Sequence, residues 1–316
     1  MPAPHPQTEP DESGLLEVGE GNAVYWESRG DREARPAVVV HGGPGAPARG
    51  MHRLLDPAVY RTVVIHQRNC GRSTPSAADP ATDLSANTTT ALVADMEAVR
   101  EHLGIDRWLV FGASWGTTLG LAYAQAHPER VTAMVLLAVC TTTAREVEWI
   151  TRDMGRIWPE AWERFRGGVP EADRDGDLAA AYARLLESGD PAVREQAARD
   201  WCAWEDTHVS LDPAWQPNPR FADPVFRMEF TRLVTHYWSH AGFLPDGALQ
   251  RGVARLSGIP AVLVTGRQDV SGPPDVAWQL HREWPGSDLV IVEQGGHGTG
   301  SAEALDAAFH RFASHM

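Results

Sequence analysis

The segment Phe111-Gly112-Ala113-Ser114-Trp115-Gly116 constrains the fold more than any other stretch, because it turns a strand directly into a helix. An apolar run, Trp108-Leu109-Val110-Phe111, leads into it, and Thr117-Thr118-Leu119-Gly120-Leu121-Ala122-Tyr123-Ala124 follows with helical character. The pattern G-x-S-x-G in that setting predicts a nucleophile elbow, a sharp turn that lifts the serine hydroxyl above the sheet edge. Small residues at Gly112 and Gly116 let the backbone reverse and let helix and strand approach closely. The turn also leaves the Trp115 N–H free to donate.

A second signal lies upstream, where the buried-strand run Ala37-Val38-Val39-Val40 ends in His41-Gly42-Gly43-Pro44-Gly45. Acyl transfer needs two N–H donors aimed at the oxygen that becomes negative in the tetrahedral intermediate. A glycine-rich turn offers one, so Gly43 and Trp115 are the expected oxyanion pair. Downstream, Arg267-Gln268-Asp269 follows the apolar run 260–266, and Gln294-Gly295-Gly296-His297 follows the run 288–293. Ser114, Asp269 and His297 thus stand in the chain order of an α/β-hydrolase triad, each just past a strand. In that scheme His297 takes the serine proton, and Asp269 fixes its tautomer. Asp275, His281, His310 and His315 are weaker competitors, set in an apparent helix or away from strand ends.

These motifs predict an α/β chain of the α/β-hydrolase fold, a mostly parallel central sheet flanked by helices with a helical cap inserted. The first part of the core is expected over 1–140, the cap over 141–257 and the rest of the core over 258–316. Within 141–257 strand patterns vanish, and seven of the twelve tryptophans fall there, which reads as a cap core with a few rings facing a cleft. Residues 1–14 are expected to fray, and Asp95, Glu97 and Arg100 to lie on the wet side of a helix over 87–103. A formal charge of −14 argues against nucleic acid and anionic membrane as partners. Neither a signal segment nor a membrane-length apolar run is seen, and three cysteines without metal-ligand spacing fit a reducing cytoplasm. No metal or organic cofactor is implied; the expected partner is a small-molecule or short-peptide substrate, and oligomeric state is not legible.

From about Leu15 to the C-terminal helix the chain resembles the proline iminopeptidases, serine peptidases of this fold with a helical cap. The resemblance rests on His41-Gly42-Gly43-Pro44-Gly45, Gln67-Arg68-Asn69-Cys70-Gly71-Arg72-Ser73, Asn87-Thr88-Thr89 and Gly112-Ala113-Ser114-Trp115-Gly116-Thr117-Thr118-Leu119. It extends through Ala122-Tyr123-Ala124-Gln125-Ala126-His127-Pro128-Glu129-Arg130-Val131 and, in the cap, Trp201-Cys202-Ala203-Trp204-Glu205. It implies the same triad, and it implies that Glu205 holds the free amino group of the substrate's first residue. A carboxylate is the natural partner of an ammonium in a dry cleft.

The chain also departs from the family's usual pattern. Val234 stands where a second cap glutamate is usual, and Glu229 is more than a helical turn away, so it is expected to point elsewhere. Cys140 replaces a pocket phenylalanine, Leu137 an arginine and Trp238 a phenylalanine, while His66 and Asn69 replace an Asp and a Gly. Gly42, Cys140, Glu205, Val234 and Trp238 are therefore the substrate-binding candidates. The leading expectation is release of an N-terminal proline or other small residue through an acyl-enzyme. The alternative is an amidase or esterase acting on a non-peptide acylated small molecule, for example in specialised metabolism. A non-enzymatic role on this fold fits poorly with a complete Ser, Asp, His order.

Overall fold

In the computed structural model, which describes residues 4–47, 50–209, 211 and 215–314, eight strands of the described residues join in one sheet. They are β1 (Glu12–Gly19), β2 (Asn22–Arg29), β3 (Arg35–Val40), β4 (Tyr60–Ile65), β5 (Trp108–Ala113), β6 (Val131–Leu137), β7 (Ala261–Gly266) and β8 (Ser287–Val292). Their spatial order is β1-β2-β4-β3-β5-β6-β7-β8. β1 and β2 run antiparallel to their neighbours, and every pairing from β4 to β8 is parallel. The parallel part therefore delivers the C-terminal ends of β3, β5, β7 and β8 to one edge.

Central strands of a parallel sheet are covered on both faces, so they read as unbroken apolar runs. Val38, Val40 and Val110 pack into one core layer with Leu92, Met96, Leu119 and Leu280. Val39, Leu109 and Phe111, pointing the other way, join Tyr60, Phe309 and Phe312. The first layer is supplied by α1 (Thr89–His102), α2 (Trp115–Ala126) and, further along the chain, a helix over Asp275–Glu283; the second is closed by a helix over Ala302–Ser314.

Between β6 and β7 the described residues form helices, turns and loops only: α3 (Ala144–Thr151), α4 (Pro159–Gly167), α5 (Leu178–Leu186), α6 (Pro191–His208), α7 (Pro224–Trp238) and α8 (Ala248–Arg251). We read this stretch as the cap; α9 (Asp275–Glu283) and α10 (Ala302–Ser314) follow it. Asp190 and Asp223 cap α6 and α7 with their carboxylates, each followed by proline at the first helical position. The cap has its own apolar cluster, in which Phe165 is stacked between Tyr182 and Trp204 with Trp201 edge-on. Arg232 of α7 ties it to the core, donating to the carbonyls of Ala77, Asp79 and Thr82.

Two expectations are corrected. Asp95 and Arg100 of α1 are buried rather than wet. Asp95 receives a bidentate guanidinium from Arg68 at 2.7 and 2.9 Å, and Arg100 pairs with Glu97. A helix period locates a polar stripe but does not reveal that a distant cation will cover it. The N-terminal segment is also held, since the His5 N–H donates to Arg53, Arg29 donates to the Thr8 carbonyl and the Asp11 N–H donates to Ser28. Met1 to Ala3 and His315 lie outside the described residues. No helix among the described residues is long and apolar enough to cross a membrane.

Removing one partner of a buried ion pair leaves the other charge uncompensated, at a cost of about 3–5 kcal/mol. Asp95→Ala is therefore expected to lower unfolding stability by about that amount, as read from urea denaturation.

Candidate active site

Ser114 sits at φ 54° and ψ −131°, a strained conformation for a residue with a Cβ. It is held there from both sides. Its N–H donates to the Leu137 carbonyl at 2.8 Å, and its own carbonyl accepts the Thr117 N–H and hydroxyl at 2.8 Å each. The turn exists only because its neighbours lack side chains. A Cβ on Gly116 would lie 2.1 Å from the Val40 carbonyl oxygen, and one on Gly42 would lie 2.8 Å from the Ala113 oxygen and 2.9 Å from the Ser114 Cβ.

His297 Nε2 lies 3.0 Å from Ser114 Oγ, and Nδ1 lies 2.9 and 3.1 Å from the two Asp269 oxygens. The Asp269 side chain is wholly buried, whereas His297 is partly open to solvent. The Gly272 N–H donates to Asp269 Oδ1 at 2.9 Å. The loop carrying Asp269 is also bound to the cap. Trp149 donates its indole N–H to the Val270 carbonyl at 2.7 Å, and the His208 imidazole lies 2.8 Å from the Ser271 hydroxyl. None of these bonds has a local sequence signal.

The loop after β3 approaches the same serine. Among the described residues, neither the Gly43 N–H nor the Trp115 N–H donates to a protein group, so both stay available for an oxyanion. A peptide unit is planar, so fixing a carbonyl also fixes the N–H across it. The Gly42 carbonyl, in one plane with the Gly43 N–H, accepts the Ala46 N–H at 3.2 Å and lies 3.0 Å from His41 Nδ1. His41 Nε2 in turn accepts the Gln67 N–H at 3.1 Å, which places the ring proton on Nδ1, facing Gly42. Burial pushes the His41 pKa down to about 3, so the ring stays a neutral strut under this loop.

The alpha/beta hydrolase fold family matches residues 36–300. A probable proline iminopeptidase of Streptomyces coelicolor is 52% identical, over 98% of this chain and 97% of its own. The proline iminopeptidase of Arabidopsis thaliana is 41% identical, over 92% of this chain and 76% of its own. The chain belongs to the proline iminopeptidase family. The crystal structure of Mycobacterium smegmatis proline iminopeptidase superposes with a TM-score of 0.64, covering 96% of this chain and 99% of that one, at 21% identity. That likeness is one of fold.

Family departures acquire physical reasons from the structure. Asn69, where the family has glycine, adopts φ 63°, a left-handed conformation that Asn tolerates better than most residues. Its side chain donates to Asn22 Oδ1 and to the Pro75 carbonyl. Glu229 points away from the cap cluster, accepting the Gly71 N–H at 2.7 Å and the Ser76 hydroxyl at 2.9 Å; burial raises its pKa. Val234 is fully buried in the apolar cluster that holds Trp201, Trp204 and Phe230. Trp238 packs edge-on against Trp201 at 5.9 Å. The Cys140 backbone bridges the hydroxyls of Thr117 and Thr118 just behind the elbow, and burial pushes its thiol up to about 12. Glu205, on α6, is one-fifth exposed and lies 3.4 Å from His208.

Two outcomes follow for the elbow and its strut. Gly116→Ala sets a methyl against backbone that cannot yield, so a loss of more than about 3 kcal/mol or a failure to fold is expected in thermal unfolding. His41 has a folded pKa below its unfolded one, so the unfolded chain binds the extra proton, and the stability contribution is lost as pH falls from about 6.5 towards 3. A His41→Gln variant should show a shallower acid limb of stability against pH than the parent.

Proposed function

We propose that this hydrolase releases an N-terminal proline from a short peptide by acyl-enzyme chemistry. The carrying observation is the hydrogen-bonded run from Ser114 Oγ through His297 to Asp269 in a chain of the proline iminopeptidase family. Ser114 Oγ attacks the scissile carbonyl carbon as its proton passes to His297 Nε2. The imidazolium is stabilised by Asp269, and the carbonyl oxygen, now negative, is held by the Gly43 and Trp115 N–H groups. Collapse of the intermediate breaks the C–N bond, and His297 gives the proton to the departing amine. Water, deprotonated by His297, then attacks the acyl-enzyme and frees the amino acid.

Glu205 gives the specificity for a free N-terminus in this reading. Its carboxylate sits on the cap helix that reaches the Asp269 loop through His208 and Ser271. Val234 contributes packing where the family pattern has a second charge, so the ammonium depends on one carboxylate. The relatives favour a peptidase over an amidase or esterase of non-peptide substrates.

Ser114→Ala is expected to cut kcat on prolyl arylamide by at least about 10³-fold with unchanged circular dichroism. N-acetylation of the prolyl substrate, or Glu205→Gln, should each lower kcat/KM by about 10-fold or more. Equal turnover of blocked and free substrates would instead favour the amidase reading.

A further inference from the structure

The cap carries a histidine that the mechanism above does not use. His208, at the end of α6, is almost fully buried, with its Nε2 at 3.4 Å from Glu205 Oε2. Among the described residues, neither of these two buried atoms has a hydrogen-bond partner. The other side of the ring is committed. The Ser271 hydroxyl donates to the His208 carbonyl at 3.0 Å, so it receives Nδ1–H at 2.8 Å. A neutral ring in that state turns the Nε2 lone pair towards a carboxylate oxygen, an unfavourable meeting of two electron-rich atoms. A proton on Nε2 converts the meeting into an ion pair. Among the described residues, the charged groups recorded against the ring are Glu205 and Asp206 of its own helix, and on the core side Asp269 lies two residues before Ser271 in the chain. Asp206 accepts the Asn218 N–H, and Asp269 is taken by His297 and Gly272.

We propose that protonated His208 is the resident counter-cation of Glu205, which the ammonium of the substrate replaces. This rests on the reading of Glu205 as the ammonium's partner. Without substrate, the imidazolium neutralises a carboxylate that has only one-fifth of its side chain in solvent. When an N-terminal ammonium reaches Glu205, two cations compete for one anion, and His208 releases its proton to solvent. The neutral ring remains anchored to Ser271. His208 is thus a positioning residue that sets the pH range over which a free N-terminus is preferred.

The test compares prolyl arylamide with cyclopentanecarbonyl arylamide, which has the same ring shape without the nitrogen. Between about pH 5.5 and 7.5 the substrate nitrogen stays protonated, and the titration of His297 cancels in the ratio of the two kcat/KM values. That ratio is expected to rise with pH, by up to tenfold per unit while His208 is charged. It should be flat in His208→Gln, which keeps an amide near Ser271 but carries no charge. A second measurement needs no change at His208: calorimetric binding of prolinamide to the Ser114→Ala protein at about pH 6, in buffers of differing ionisation enthalpy. Release of up to one proton per prolinamide, and none with cyclopentanecarboxamide, is expected. Binding of prolinamide without proton release, or an identical pH slope in His208→Gln, overturns the proposal. Glu205→Gln separates the two readings. If it leaves the preference for the free amine intact, the role of Glu205 itself is wrong; if it abolishes the preference while the parent releases no proton, only the role of His208 is wrong.

Discussion

Everything at the candidate site depends on how closely the backbone of β3 and its following turn approach the first turn of α2. The gap between the Gly116 Cα and the Val40 carbonyl admits no methyl group. That contact sets the height of the elbow and brings the Gly42–Gly43 peptide against Ser114. It also presses the serine into a conformation that an isolated chain would avoid. The strain of about 1–3 kcal/mol is offset by the bonds that Leu137 and Thr117 make to the same residue. The geometry of the candidate site comes from main-chain packing, and the side chains are hung upon it.

The elements legible in the sequence are those set by local chemistry. The elbow, the glycine turn after β3 and the positions of Asp269 and His297 past successive strands all follow from short apolar runs ended by turn residues. The parallel sheet then carries those ends to one edge without further information. Elements that were not legible depend on partners far away in the chain. The helical period of α1 turns Asp95 and Arg100 towards water, yet both are buried, Asp95 beneath the distant Arg68. Residues 5–11 look like a frayed, proline-rich start, yet backbone bonds to Ser28 and Arg53 hold them. His41 is legible as part of a motif, but its work as a strut is not, because its second partner is Gln67 on another loop.

The Asp269 loop is the meeting point of core and cap. It is tied to the core through His297 and to the cap through Trp149 and His208. The cap is fixed elsewhere by Arg232 and Glu229 of α7, which reach the loop over residues 71–82. A cap anchored at both ends in this way places Glu205 relative to His297 through a few short, directional bonds. Val234 lies within the cap's apolar cluster, apart from those anchors.

The distances along the chain within the site are unequal. Asp269 and His297 are 28 residues apart, whereas Ser114 and His297 are separated by 183. Gly43, Ser114 and Trp115 thus emerge early in synthesis, and Asp269 and His297 follow only after most of the chain. Until that late segment folds in, Ser114 Oγ lacks the imidazole that lies 3.0 Å from it in the folded chain. In the proposed mechanism the serine is activated only after β8 has joined the sheet and brought His297 beside it.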